Sequence, residues 1–141
     1  MKYENKSYEV AQNLVGKVLK INNQKVQVIE TEAFEGGKQT PQRACMRYAP
    51  GQIGLLNYRG SKFVNIGTEA AGFPSCVLLR AVKIEDELIE GPGKVGKALN
   101  AESLEFLVLG KDIRVTGRTK PCEFYRTEVS SNSLGRYRLI E

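Results

Sequence analysis

The chain has 141 residues, with 21 Lys and Arg against 16 Asp and Glu, a net charge of +5, a hydrophobic content of 41% and no histidine. That length and composition fit one globular domain over residues 1–141 with a core of its own. The lack of histidine excludes Ser-His and Cys-His nucleophile pairs and any imidazole acid or base, and the three scattered cysteines form neither a CxxC pair nor a disulfide framework, so a zinc site would have to be built from thiolates and carboxylates.

In chain order, Ser7 is positioned to cap a short helix carrying Val10, Ala11 and Leu14, which stops at Gly16. Lys17–Ile21 and Lys25–Ala33 read as strands around an Asn22-Asn23 turn. Residues 36–51 read as a loop, with Pro41, Pro50 and flanking glycines. Ile53–Tyr58 and Phe63–Thr68 read as a hairpin joined by Arg59-Gly60-Ser61-Lys62, and Ser75–Val82 as the most strand-like, central run. Gly91-Pro92-Gly93 precedes a helix over Lys94–Leu99. Leu104–Leu109, Ile113–Thr116 and Arg136–Ile140 complete the predicted strands. Strands outnumber helices, so the expected class is α+β: a curved, mostly antiparallel sheet with a few short helices and a protruding hairpin.

Three features suggest chemistry. Alternate side chains of a strand share a face, so Val26, Val28, Glu30, Glu32 and Phe34 are expected on one side, with two carboxylates following an inward apolar pair. Such a carboxylate is either a tuned pocket acid or a strand-end group paired with an arginine. Arg80 lies within the apolar run Cys76–Val82 and needs a partner there; it holds a structural carboxylate, or it faces a phosphate or a catalytic water, and Glu32 is a candidate neighbour. Between Gly36 and Thr68 there is no acidic residue, but there are Lys38, Arg43, Arg47, Arg59 and Lys62, which make either an anion-facing surface or a solvated basic face. The Gly91-to-Lys94 helix start favours anions, or is simply how the helix begins.

These segments together resemble the alkyladenine (3-methyladenine) DNA glycosylase family. The resemblance is carried in order by residues 11–19 (AQNLVGKVL), 28–34 (VIETEAF), Gln39-Thr40-Pro41, Pro50-Gly51, 77–81 (VLLRA) and Gly91-Pro92-Gly93-Lys94 with Ala98-Leu99. It loosens after Leu109, where Arg136-Tyr137-Arg138 stands for a terminal aromatic-basic strand. It implies a monofunctional enzyme that flips a damaged purine from double-stranded DNA into a pocket and hydrolyses its glycosidic bond with no metal and no cofactor. By the same resemblance Glu32 activates water, Arg80 helps to position that water, and Phe34 stacks on the flipped base. Leu56, Tyr58 and Asn65 join the pocket, a hairpin enters the minor groove, and Arg43, Arg47, Arg59, Lys62, Gly91 and Lys94 meet DNA. Breaking a glycosidic bond develops positive charge on the sugar, which a nearby carboxylate stabilises.

This sequence departs from the family in several places. A histidine-bearing segment between the signature strand and Gln39 is missing. Leu56 and Arg59 stand where the family has its second stacking tyrosine and its intercalating tyrosine, with Tyr58 as a substitute stacker if the register slips by two. Phe34 lacks the usual phenol. The alternatives are a family member that binds DNA without excising a base, or an unrelated basic β-rich RNA-binding domain. The protein is expected to be a cytoplasmic monomer, nucleoid-associated in a prokaryote. Neither a signal peptide nor an apolar run of the roughly 20 residues that span a bilayer is evident, so no membrane partner is expected.

Overall fold

A computed structural model describes residues 1–35, 48–70, 75–126 and 132–140. Helix α1 (Ser7–Leu14) buries Val10, Ala11 and Leu14, which recur at helical spacing and fall on one stripe. Lys6 rather than Ser7 occupies the capping position, and neither supplies a side-chain cap. The Ser7 hydroxyl is buried inside the first turn with no hydrogen-bond partner among the described residues. The predicted Ser7 cap is therefore wrong by one residue: the side chain went to packing, not to the helix end.

Among the described residues three tight hairpins organise the sheet, and each turns on two residues with positive φ, the backbone that continues the right-handed twist of the flanking strands. Strands β1 (Val18–Ile21) and β2 (Gln24–Glu35) join through Asn22 and Asn23, at φ 51° and 63°. Strands β3 (Ile53–Tyr58) and β4 (Ser61–Gly67) join through Arg59 and Gly60, at 48° and 84°, a tighter turn than the four-residue connection expected. Strands β5 (Ser75–Ile84) and β6 (Glu87–Glu90) join through Glu85 and Asp86, at 49° and 67°. This third turn has none of the Asn-Gly chemistry that marks such loops, so β6 is not evident from sequence. Helix α2 (Pro92–Ala98) follows and seats Gly96 so closely on the Lys62 carbonyl that a Cβ there would collide with it.

Leu104–Leu109 is not the predicted strand. Leu104 and Leu109 plug the core on either side of a turn in which the exposed Phe106 has φ 73°, and the backbone is tied to Ile53 by two 2.8 Å hydrogen bonds rather than to a ladder. Three short or late strands follow: β7 (Arg114–Thr116), β8 (Cys122–Tyr125) and β9 (Ser133–Leu139). Among the described residues nine strands form one antiparallel sheet with the order β3-β4-β5-β2-β1-β7; β6 is added to β5, β9 to β2 and β8 to β9.

The sheet forks. One edge of β2 pairs first with β1, over Gln24–Gln27, and then with β9, over Glu30–Phe34. The far edge of β5 likewise pairs with β4 over Cys76–Leu78 and with β6 over Ala81–Ile84. Between these partners the β2–β5 ladder is irregular, with register shifts on either side of Glu30. Both strands change face there. Val26 and Val28 share the main core cluster with Ala33, and Val77 and Leu79 share it with Val82 and Ile84. The expectation that Val26, Val28, Glu30, Glu32 and Phe34 line one side is thus overturned: an irregularity breaks strict alternation. Thr31 and Ala33 take the core side, where Thr31 Oγ1 donates to the Ala11 carbonyl of α1 at 2.8 Å. Glu30, Glu32 and Phe34 face the other way.

Candidate active site

That opposite face is built of rows running across the strands. Directly paired residues share a face, so the register gives Gly54, Asn65, Leu78, Glu32 and Arg136 as one line through β3, β4, β5, β2 and β9. Phe34 belongs to a second apolar cluster on this side, with Tyr48, Cys76 and Leu78, and Phe63 packs against it. Strand spacing puts Asn65 two strands, or about 10 Å, from Glu32.

Glu32 is 2% exposed. Its Oε1 accepts from Arg80 Nη1 at 2.9 Å and from Arg136 Nε at 3.3 Å, and its Oε2 accepts from the Ser133 hydroxyl at 2.6 Å. Glu30 accepts from Arg80 Nε at 3.2 Å, from Arg138 Nη1 at 3.0 Å and from the Tyr125 hydroxyl at 2.7 Å. Arg138 also reaches Glu90 at 2.6 Å, nearer solvent. Two buried carboxylates are therefore enclosed by three guanidiniums, with Arg80 bridging both. Burying a carboxylate is tolerable only with such partners, and at low local dielectric each contact counts for more than it would in water. The carboxylates of Glu90 and Glu30 hold the Arg138 guanidinium above its ordinary pKa. Burial, then the hydrogen bond to Glu30, pushes the Tyr125 phenol up.

The expected pairing of Arg80 with Glu32 is present, and Glu30 shares the same arginine. The sequence offers Arg136 and Arg138 only as part of a terminal aromatic-basic strand, although their Arg-Tyr-Arg spacing puts two cations on one face, with Tyr137 opposite in the core. Ser133 and Tyr125 carried no local signal. Tyr48 was missed as well. It is 2% exposed, its ring fills the space that a Cβ at Gly54 would need, and its hydroxyl donates to Glu105 at 2.5 Å. A lone glycine inside a strand is the clue to such a close approach.

The other candidates are more dispersed. Asn65 is buried, and its amide donates to the Phe63 carbonyl at 3.3 Å. Leu56 is half-buried opposite Phe63, on the same face as Asn65. Tyr58 is exposed beside Phe63, with ring centroids 5.6 Å apart. Arg59 is at the hairpin tip, its guanidinium 5.3 Å from the centre of the Tyr58 ring. Lys62 Nζ donates to Asn57 at 2.8 Å and lies 3.9 Å from Glu102. Lys94 is exposed on α2. The Gly91 amide is engaged by the Arg80 carbonyl at 2.8 Å, so it offers no free N–H to an anion; with φ 102°, Gly91 lets α2 leave β6. Lys38, Arg43 and Arg47 lie outside the described residues. Among the described residues no group of three or more Cys, Asp and Glu side chains is placed to hold a metal ion. No helix of the described residues is long and apolar enough to cross a membrane.

The model of the methylpurine-DNA glycosylase (MPG) family matches residues 1–128, and the chain belongs to that family. Similar proteins have names that contain 3-methyladenine DNA glycosylase. One from Wolbachia pipientis subsp. Culex pipiens is 33% identical over 111 residues, covering 70% of this chain and 61% of its own length. One from Ehrlichia ruminantium is 29% identical over 113 residues, covering 70% and 60%. One from Lactiplantibacillus plantarum is 28% identical over 139 residues, covering 74% and 66%. The chain thus spans about 60% of the length of the first of these relatives.

Proposed function

We propose that this protein is a monofunctional DNA glycosylase that extrudes a damaged or modified purine from duplex DNA and hydrolyses its N-glycosidic bond. The observation that carries this reading is the setting of Glu32. It is an almost fully buried carboxylate paired with two guanidiniums, on the same sheet face as the apolar Phe34 cluster and Asn65.

In this mechanism the base leaves with the electron pair of the C1′–N bond, and positive charge develops on the sugar. Glu32 stabilises that charge and accepts a proton from the attacking water, whose oxygen bonds to C1′. Arg80 and Arg136 orient the carboxylate rather than touch the base. Phe34, Leu56 and Asn65 line the base site, and Tyr58 stacks at its rim. Arg59 enters the minor groove as a wedge with a charged planar head, which can stack on bases and bond the groove. Lys62, Lys94, Arg43 and Arg47 contact phosphates, which makes binding salt-dependent with a log–log slope of about −0.9 per neutralised phosphate.

The direct test is release of free base from alkylated, deaminated and otherwise modified duplexes. A second reading, a family member that binds DNA without excision, has one observation in its favour: both oxygens of Glu32 are already engaged within the protein. Salt-dependent duplex binding with no base released from any substrate selects that reading.

A further inference from the structure

We infer that Ser133 is a positioning residue for excision, one that makes Oε2 of Glu32 the proton-accepting oxygen; this rests on the reading of Glu32 as the water-activating base. The two oxygens of Glu32 differ. Oε1 meets two cations, Arg80 Nη1 and Arg136 Nε, and cation contact makes an oxygen a poor proton acceptor. Oε2 is the oxygen without a guanidinium: among the described residues it accepts from the Ser133 hydroxyl alone, at 2.6 Å. The Ser133 side is therefore the side of the carboxylate that carries no cation.

The backbone is shaped to bring this hydroxyl there. On the β2–β9 ladder Ala33 faces Gly135 but Phe34 faces Ser133, so β9 carries one extra residue, Leu134, at this point. A bulge re-aims the side chains beside it. This one depends on Gly135, whose φ of 117° suits glycine and whose missing Cβ leaves room for the Phe124 ring. The Gly135 amide donates to Ser133 Oγ at 3.1 Å. That bond occupies one lone pair of the hydroxyl and directs its hydrogen toward Glu32.

A hydroxyl has one donor and two acceptor positions. While Glu32 is charged, Ser133 donates to Oε2. Once Oε2 has taken the proton of the attacking water, the Ser133 hydrogen rotates away, and its second lone pair accepts the new carboxyl O–H. No proton leaves Ser133; the proton from water stays on Glu32 until solvent removes it. A hydrogen bond thus persists on both sides of the proton transfer, which an alanine cannot provide and a second cation would oppose.

The test compares Ser133→Thr, Ser133→Val and Ser133→Ala with the wild type, using single-turnover release of purine from dimethyl-sulfate-alkylated duplex DNA across the acid range, with thermal unfolding in parallel. Thr and Val have the same shape and differ in the hydroxyl. Losing a hydrogen bond that favours the charged carboxylate moves the acid limb of the rate profile to higher pH. The expectation is a limb shifted up by about one unit and a rate about tenfold to a hundredfold lower in Val and Ala, with Thr close to wild type. A purely packing role predicts instead that unfolding temperatures change while the limb stays put. If Thr and Val give the same limb as wild type, Ser133 has no part in the proton step. If the wild type releases no purine from any modified duplex, the reading of Glu32 falls and the role of Ser133 falls with it.

Discussion

Glu30 and Glu32 are one pleat apart on the same strand face, and they share Arg80, but their surroundings differ. Glu30 accepts from two arginines and a tyrosine, and through Arg138 it is linked to the exposed side chain of Glu90. Glu32 is deeper, lies in register with Asn65 across the sheet, and keeps one oxygen clear of any guanidinium. The first arrangement neutralises a carboxylate from all sides; the second neutralises it from one side. Buried ion pairs contribute little net stability but are costly to break, so the pair invites experiments that separate holding the sheet together from acting on a substrate.

The largest effect is expected at the residue they share. Arg80→Ala removes a partner from both carboxylates at once, and breaking a buried pair of this kind costs about 3–5 kcal/mol. Urea unfolding at neutral pH reads this as a lower midpoint with an unchanged slope. A loss near zero would mean that Arg136 and Arg138 suffice and that the two carboxylates are not coupled through Arg80. Next in size, Glu32→Gln is expected to fold, because its amide oxygen can still accept from the arginines and its NH2 can donate to Ser133. It should lose base excision by at least about two orders of magnitude while still binding modified duplex.

Glu30→Gln supplies the contrast. It should lower stability by about 1–3 kcal/mol, through the weakened hydrogen bonds of Tyr125 and Arg138, and leave single-turnover excision within about a few-fold of wild type. If Glu30→Gln loses excision and Glu32→Gln does not, the two roles are exchanged. The smallest effect on folding is expected at Arg59→Ala, an exposed turn residue whose loss should change stability by no more than about 0.5 kcal/mol. Its effect should instead show in substrate preference. Excision from paired duplex should fall more than excision from single strands, where extrusion costs little. Equal losses on both would reduce Arg59 to a general phosphate contact.

Several local features were legible in the sequence. The α1 stripe, the Asn22-Asn23 turn, the β3–β4 hairpin and the central β5 follow from periodicity and turn chemistry, and the ordered short motifs placed the chain in its family. The lack of histidine and the strand glutamates narrowed any catalysis to carboxylates and their cationic partners. An arginine inside an apolar strand announced that a buried acid had to be near. What sequence alone could not decide was which face that acid would take, because strict alternation puts Glu32 beside Val28, and the fork of the sheet moves it to the other side. The fork is set by which strand pairs with β2 after β1 ends, a contact between Glu32 and Arg136 separated by a hundred residues. Ser133, Tyr125 and Arg138 join the site by the same long-range pairing, and nothing near them in the chain encodes it. Residue identity determined which groups could do chemistry here; only the tertiary register, through the irregular β2–β5 ladder and the β9 bulge, decided which of them meet and which oxygen of Glu32 faces Ser133 rather than a guanidinium.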